Sequence, residues 1–196
     1  MIKAVIFDLG GVLLKGSVRK FLEKGEKILG VKAKKGSELD FDKKLNLGQS
    51  STRDAFERVF GKKMNDDEFI PLMKAWLGNW VLDEPLFEYA KALKKRYKIA
   101  IMSNSSQSFV EKHEHAWNRL FSPVVYSHKE RMMKPNKEIF ELTLQKLGLK
   151  AEECILVDDC RENGETCREI GMHFVQYSSL NKLIKDLELH GVRASF

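Results

Sequence analysis

Acidic, hydroxyl and amine side chains follow the short apolar runs of this sequence. They are Asp8 after residues 4–7, Ser103 and Asn104 after 99–102, Lys134 shortly after 123–126, and Asp158 and Asp159 after 155–157. Any one of these alone would be an ordinary turn residue, because Asp, Ser and Asn commonly begin turns. The ends of parallel strands, however, meet at one edge of a sheet, where ligands bind. The sequence therefore predicts one polar site assembled from several strand ends.

Carboxylates in such a site are ionised at neutral pH and repel one another. A divalent cation relieves that repulsion, and a ligand set made only of oxygen atoms favours magnesium over zinc. An amine and a hydroxyl beside the metal would hold the oxygens of a phosphoryl group. One carboxylate is then left to attack phosphorus and form an acyl phosphate that water can open. The residue types therefore indicate phosphoryl transfer.

Short apolar runs separated by helical periodicity must position these residues. The runs rich in β-forming residues are Ile2–Phe7, Lys98–Met102, Pro123–Tyr126, Cys154–Val157 and His173–Tyr177. Nearly continuous apolar strands that alternate with helices predict an α/β fold with a parallel sheet covered on both faces.

The segment from Lys15 to Glu84 interrupts this alternation and contains no convincing strand. Its hydrophobic pattern predicts amphipathic helices over Val18–Leu29, Ser37–Leu47, Thr52–Phe60 and Asp66–Leu77. Cap residues followed by acidic residues support helix starts at Ser51 and Asn65. Trp76 and Trp80 are interpreted as core packing rather than as ligand-stacking residues.

Composition and charge indicate which broad classes of protein this sequence can belong to. The chain has 196 residues, 43% of them hydrophobic and 32% charged, with a net charge of +6, which fits one core with a modest insert. Its scattered lysine pairs indicate a solvated surface rather than a nucleic-acid interface. No apolar stretch is long enough to span a membrane or act as a secretion signal, so a cytoplasmic location is expected. The three cysteines are expected to be reduced, buried thiols.

The polar motifs resemble those of the haloacid dehalogenase-like (HAD) hydrolase superfamily in order and spacing over nearly the whole chain. The matching segments are Phe7–Leu13, Met102–Asn104, Lys134–Pro135 with Ile139–Phe140, and Val157–Asp159 with Asn163, Glu165 and Gly171. The resemblance implies a Rossmann-like core formed by residues 1–14 and 85–196. Residues 15–84 lie where this superfamily carries an all-α cap domain.

The resemblance also implies a role for each site residue. Asp8 would be the nucleophile and a magnesium ligand, and the backbone carbonyl of Gly10 would be a second ligand. Ser103, assisted by Asn104, would hydrogen-bond the phosphoryl oxygens. Lys134 would hold the phosphate and shield Asp8 from its acidic neighbour. Asp158 would bind magnesium directly or through water, with Asp159 supporting it.

Two positions depart from the pattern of the family's phosphatases. Most of them have a second aspartate two residues after the nucleophile, which serves as general acid and base, whereas this chain has Gly10. Loss of a positioned acid typically costs a factor of about 100 to 10,000 in rate. A substrate with a good leaving group, a proton donor elsewhere or weak catalysis would each be compatible with Gly10. At the second position Arg131 replaces an expected glycine, and it is interpreted as a solvated side chain.

The expected activity is magnesium-dependent hydrolysis of a small phosphorylated metabolite through an aspartyl-phosphate. A metal-free 2-haloacid dehalogenase is an alternative, but adjacent Asp158 and Asp159 would repel a carboxylate substrate. A catalytically weak binding module is the third hypothesis.

Four polar residues of the insert could contact the leaving group, namely Lys15, Arg19, Asn46 and Gln49. His128 is expected at the surface, and the oligomeric state stays open.

Overall fold

A five-stranded parallel sheet forms the centre of the protein. The computed structural model describes residues 1–36, 43–117 and 119–195. The strands in these residues are β1 (Ala4–Phe7), β2 (Leu14–Lys15), β3 (Val81–Leu82), β4 (Lys98–Ser103), β5 (Val124–Tyr126), β6 (Cys154–Asp158) and β7 (His173–Gln176). The helices are α1 (Val18–Leu29), α2 (Lys43–Asn46), α3 (Thr52–Phe60), α4 (Asp66–Leu77), α5 (Glu84–Lys94), α6 (Gln107–His113), α7 (Ser127–Glu130), α8 (Lys137–Leu147), α9 (Arg161–Glu169) and α10 (Leu180–Leu189). Within the described residues, no helix is long and apolar enough to cross a bilayer.

The order of strands in the sheet is β5-β4-β1-β6-β7, so the first strand of the chain lies in the middle. All neighbouring pairs in this sheet are parallel. The predicted α/β fold with a parallel sheet is therefore confirmed. Because β1 lies between β4 and β6, the carboxyl ends of these three strands meet at one edge.

Both faces of the sheet are covered, which explains why its strands are apolar at successive positions. Val5 and Phe7 of β1 pack in one hydrophobic cluster, which includes residues of α5 and α10. Ala4 and Ile6 point to the opposite face and pack with Phe140 of α8 and residues of α9. The alternation of side chains along a strand produces these two faces, and their burial supplies the main driving force for folding.

The helical insert between β2 and β3 has a hydrophobic cluster of its own. Phe21 of α1, Phe56 of α3 and Trp76 of α4 are buried in it, and the Phe21 and Trp76 rings meet edge to face at 4.9 Å. The predicted starts of α3 and α4 are confirmed, because Ser51 and Asn65 each form a capping box. The insert is therefore an amphipathic helical unit, with its apolar faces turned inward.

A two-residue antiparallel ladder, β2 with β3, connects the insert to the sheet. The expectation of no strand between Lys15 and Glu84 is wrong here, because a strand of two residues is too short to show alternation. Asp83 follows the ladder, and its carboxylate accepts a hydrogen bond from the Tyr177 hydroxyl at 3.2 Å and pairs with the Lys15 ammonium at 2.9 Å. The Asp83 amide also donates to the Leu13 carbonyl at 2.9 Å. Buried Asp83 thus holds the two segments that connect the insert to the core, near β2 and β3, against Tyr177 of the core.

The second helix predicted in the insert and the three cysteines agree only in part with expectation. Of the helix predicted over Ser37–Leu47, the part from 37 to 42 lies outside the described residues, and α2 covers Lys43–Asn46. All three cysteines are free, and Cys154 and Cys167 are buried as expected. Cys160 is exposed, contrary to expectation, because it follows β6 at the carboxyl edge of the sheet.

Gly25 on α1 provides a test of the packing inside the insert. A Cβ atom at this position would collide with the Phe60 ring and lie 2.9 Å from Leu72 Cδ1. We expect Gly25→Ala to destabilise the protein by about 1–3 kcal/mol, although alanine favours a helix, because overpacking outweighs helix propensity. Denaturant unfolding measures the change. Lys24→Ala, at an exposed site on the same helix, is the control, and a Gly25→Ala variant at least as stable as the wild type would contradict the packing.

Candidate active site

The ends of β1, β4 and β6 bring the predicted acidic and hydroxyl residues to one edge of the sheet. Phe7 is in register with both Ile101 and Val157, so Asp8 lies between the ends of the two neighbouring strands. The Asp8 amide donates to the Val157 carbonyl at 3.0 Å, which continues the ladder to this residue. Ser103 is the last residue of β4 and is buried.

The Lys134 ammonium group lies between two carboxylates. Its Nζ is 3.0 Å from Asp8 Oδ1 and 2.6 Å from Asp158 Oδ2. The three side chains are 2%, 13% and 0% exposed for Lys134, Asp8 and Asp158 respectively. These ion pairs are shielded from water, so their attraction is little screened.

Asn104 holds the backbone of Lys134 in place. Its Oδ1 accepts from the Lys134 amide and its Nδ2 donates to the Lys134 carbonyl, each at 2.9 Å. The loop after β4 is thereby fastened to the loop before α8 by two hydrogen bonds from one side chain. Asn104 therefore positions the lysine in addition to lining the cleft.

Burial controls the charge state of this cluster. Burial, with the nearby Asp158 carboxylate, raises the pKa of Asp8 to about 7, against the opposing effect of Lys134. Although burial alone lowers the pKa of Lys134, the Asp158 and Asp8 carboxylates together hold it above its usual value. Partial burial and Asp158 also raise the pKa of Asp159. The single positive charge of Lys134 therefore does not balance the three neighbouring carboxylates.

The three carboxylates converge closely enough to hold one metal ion. Asp8, Asp158 and Asp159 each offer an oxygen, and these atoms lie within 4.8 Å of one another. The Cys160 amide donates to Asp158 Oδ1 at 2.9 Å and fixes its orientation. Gly11 has φ +77°, and a Cβ there would collide with the Asp159 carboxylate. The oxygen-only donor set and its excess negative charge fit a hard divalent cation such as magnesium.

A wide cleft of about 1020 Å³ opens over this cluster. Asp8, Asn104 and Lys134 line its floor, and Lys43 of the insert and Arg131 line its walls. Arg131 is exposed, as expected, and adopts the left-handed backbone region at φ 56°, which non-glycine residues rarely enter. The structure therefore explains why glycine would suit this position.

A second cavity of about 140 Å³ adjoins the cleft at Asn104. Gly10 and Ser103 line it from the core, and Trp76 and Trp80 line it from the insert. Trp76 packs in the core of the insert as predicted, and Trp80 is half-buried. Both tryptophans nevertheless face the cavity, which the sequence analysis did not anticipate.

Among the four polar insert residues considered from sequence, Asn46 lines this cavity. Lys15 pairs with Asp83, and Arg19 pairs with Glu23 on the exposed side of α1. Gln49 is exposed. Asn46 is thus the one among these four for which the structure gives a place in the cavity.

The expectation that His128 lies at the surface is wrong. Its ring is half-buried, its Nδ1 lies 2.8 Å from the Ser105 carbonyl, and burial lowers its pKa. Ser105, which lines the second cavity, was also missed. Its place in the loop directly after Ser103 and Asn104 was the available signal. For Trp80 no such signal existed. Trp80 comes close to Gly10 only because β3, which follows it, pairs with β2, and these strands are far apart in the sequence.

Comparison with known proteins identifies the family. The family model for haloacid dehalogenase-like hydrolases matches residues 2–171. The chain belongs to this family. The described motifs of this haloacid dehalogenase-like hydrolase, from Asp8 to Gly171, all lie within the matched range.

Several solved structures share the fold of this haloacid dehalogenase-like hydrolase. A HAD family enzyme from Bacteroides thetaiotaomicron, in complex with magnesium and inorganic phosphate, has a TM-score of 0.77 at 20% identity, over 93% of this chain and 99% of that one. A HAD-like family hydrolase from Porphyromonas gingivalis has a TM-score of 0.77 at 22% identity, over 98% and 99%. L-2-haloacid dehalogenase from Xanthobacter autotrophicus has a TM-score of 0.65 at 19% identity, over 98% and 85%.

A curated mouse protein matches part of the sequence. Acyl-CoA dehydrogenase family member 10 of Mus musculus is 35% identical over 68 residues, which is 35% of this chain. The match spans 6% of the length of that protein. This short match therefore gives no basis for assigning the activity of the mouse protein to this chain.

The lysine between the carboxylates yields a stability prediction. We expect Lys134→Met to lower the free energy of unfolding of the metal-free protein by about 3–5 kcal/mol, because buried carboxylates lose their compensating charge. Thermal and denaturant unfolding measure the loss.

Lys137→Met is the matched control, since Lys137 is exposed and forms a surface ion pair with Glu169 at 2.9 Å. It should change the unfolding midpoint little. Equal effects of the two substitutions would show that the buried ammonium does not stabilise the cluster.

Proposed function

We propose that this hydrolase is a magnesium-dependent phosphatase that cleaves the phosphate monoester of a small metabolite. The supporting observation is the Lys134 ammonium held between Asp8 and Asp158, with Asp159 close enough to complete a three-carboxylate cluster. An ammonium group and a divalent cation beside one carboxylate would suit an incoming dianion. The phosphate present in the similar Bacteroides enzyme agrees with this proposal.

Asp8, Asp158, Asp159 and the backbone carbonyl of Gly10 would hold the magnesium ion. When bound, magnesium neutralises charge on the phosphoryl oxygens and so permits an anionic nucleophile to approach. The chain's own cation, Lys134, would bind a phosphoryl oxygen. Ser103 donates its hydroxyl hydrogen to a further oxygen. These contacts strengthen as negative charge shifts onto the oxygens in the transition state.

The reaction proceeds in two steps on Asp8. An Asp8 carboxylate oxygen forms a bond to phosphorus while the bond from phosphorus to the alcohol oxygen breaks. The alcohol oxygen keeps the electron pair of that bond and leaves as an alkoxide, or as the alcohol where a donor supplies a proton. Water then attacks the phosphorus of the aspartyl-phosphate, which releases inorganic phosphate and regenerates the carboxylate. Gly10 supplies no proton to the departing alcohol. The substrate's alcohol must therefore be a good leaving group, or a proton must come from another donor.

The helical insert, residues 15–84, would act as a cap over this site. Its residues line both cavities above the carboxylates, with Lys43 on the larger and Trp80 on the smaller. The short ladder of β2 with β3 joins it to the core. Closure of the insert over a bound ester would exclude water and strengthen the electrostatic contacts of Lys134.

Substitution of the nucleophile tests the proposal. We expect Asp8→Asn to lower phosphate release from 4-nitrophenyl phosphate and a panel of sugar phosphates by at least about 1000-fold, because the amide cannot form the acyl phosphate. A phosphate assay with and without magnesium measures it. Asp67→Asn, at an exposed position in the first turn of α4, should leave the rate unchanged. Release that depends on neither Asp8 nor magnesium would refute the proposal.

Magnesium binding should also be visible without catalysis. At a magnesium concentration 100 times its Kd, we expect the metal to stabilise the folded protein by about 2.7 kcal/mol, a rise in Tm of at least about 5 °C. Asp158→Asn removes one proposed ligand and should abolish most of this rise. An equal rise in the variant would show that the metal binds elsewhere.

The 2-haloacid dehalogenase alternative is favoured by the absence of a second acid at Gly10 and by the fold shared with the Xanthobacter enzyme. Buried Asp158 counts against it, because it would repel the carboxylate of the substrate. Chloride release from 2-chloropropionate in the presence of a chelator would favour the dehalogenase. Release of phosphate that requires magnesium would favour the phosphatase.

A further inference from the structure

The smaller cavity, which we name the tryptophan pocket, is bounded by aromatic rings. The Trp80 ring meets Trp76 and Phe109 edge to face, each with 5.6 Å between ring centroids. Val18 adds a further apolar wall. Its volume of about 140 Å³ is close to that of a cavity that accepts one benzene ring, about 150 Å³.

The charge of the tryptophan pocket differs from that of the neighbouring cleft. Among the described residues, those that line the pocket are all uncharged. The cleft, in contrast, is lined by both acidic and basic side chains, including Asp8, Lys134 and Arg131. Transfer of a charged group from water into an uncharged aromatic site is strongly unfavourable. The pocket therefore disfavours a ligand portion that carries a second charge.

The lining of the tryptophan pocket includes two buried polar atoms for which the described residues offer no hydrogen-bond partner. They are the indole Nε1 of Trp80 and the hydroxyl Oγ of Ser105. The Ser105 backbone is already engaged, since its amide donates to Ser127 Oγ at 2.9 Å and its carbonyl lies 2.8 Å from His128 Nδ1. Buried polar atoms are nearly always paired in folded proteins. One donor and one hydroxyl thus remain for a ligand.

Trp80 packs against two glycines. A Cβ atom at Gly10 would lie 3.7 Å from Trp80 Cζ3, and one at Gly16 would collide with the indole. Asn79, directly before Trp80, is held because its Nδ2 donates to the Ser17 carbonyl at 3.0 Å. The indole therefore lies against Gly10, two residues from Asp8, where the alcohol of a phosphate ester would leave.

We propose that the tryptophan pocket binds the leaving group, and that it selects a compact, uncharged alcohol with one apolar face and one further hydroxyl. This assignment rests on the proposed phosphatase function. The apolar face of the leaving group packs against Trp80. Its second hydroxyl accepts a hydrogen bond from Trp80 Nε1 and pairs with Ser105 Oγ. Substrates with a second anionic group on the leaving side are disfavoured.

Three aryl phosphates with the same ring test this selection. They are 4-(hydroxymethyl)phenyl phosphate, phenyl phosphate and 4-carboxyphenyl phosphate, which differ in a neutral hydroxyl, hydrogen or a charge. We expect kcat/KM to be at least about fivefold higher for the hydroxymethyl probe than for the phenyl probe, because each neutral hydrogen bond contributes a factor of about five. The carboxy probe should be at least about tenfold poorer than phenyl phosphate.

Variants assign the selection to the two unpartnered atoms. Trp80→Phe keeps an aromatic ring but removes the N–H group, and Ser105→Ala removes the hydroxyl. Each should reduce the hydroxymethyl advantage, which is the ratio of kcat/KM for the hydroxymethyl probe to kcat/KM for phenyl phosphate measured on the same variant. Trp117→Phe is the matched control, because the Trp117 indole donates to the Tyr126 hydroxyl at 2.7 Å inside the core. It should retain the fivefold advantage.

The outcomes separate the two proposals. Equal kcat/KM for all three probes, with release that still depends on Asp8 and magnesium, would overturn the pocket assignment alone. An advantage unchanged in both Trp80→Phe and Ser105→Ala would do the same. Absence of Asp8-dependent release from every probe would overturn the phosphatase and the pocket assignment together. Unfolding curves establish that each variant is folded, and either pocket variant alone is sufficient for the comparison.

Discussion

Two carboxylates can lie side by side at the centre of this protein because one ammonium group lies between them. Lys134 Nζ contacts both Asp8 and Asp158, and all three side chains are largely buried. Desolvation makes each charge unfavourable alone, and attraction across these short distances offsets that cost. The cluster still carries more negative than positive charge. That imbalance suits the site to a cation and to ligands that bring a cation with them.

The lysine can act in this way because the backbone around it is tied to a different strand. Asn104, directly after β4, makes two hydrogen bonds to the Lys134 backbone. Behind this loop, Thr166 of α9 donates its hydroxyl to the Pro135 carbonyl at 2.7 Å. The site is thus rigid where charges must meet. The insert above it pairs with the core through the short ladder of β2 with β3, and the described part of the insert buries apolar residues in a cluster of its own.

Sequence patterns predicted the sheet and the order of its strands along the chain, because burial on two faces leaves a continuous apolar signal. They also predicted three helices of the insert, α1, α3 and α4. The same reasoning brought Asp8 and Asp158 together, since both directly follow strands that turned out to be neighbours. It missed β2 and β3, which are too short to show a period. The sequence also did not predict the position of Trp80, because the identity of a half-buried aromatic residue does not reveal which distant residues it contacts.

The central position of β1 has a consequence for the growing chain on the ribosome. This apolar strand is synthesised before β4 and β6, the strands that pair with its two edges. Until they emerge, both edges of β1 carry unpaired backbone groups that could pair with another chain. Nascent chains that stop before β6 therefore present an aggregation-prone segment, and engagement of β1 by a molecular chaperone would protect it.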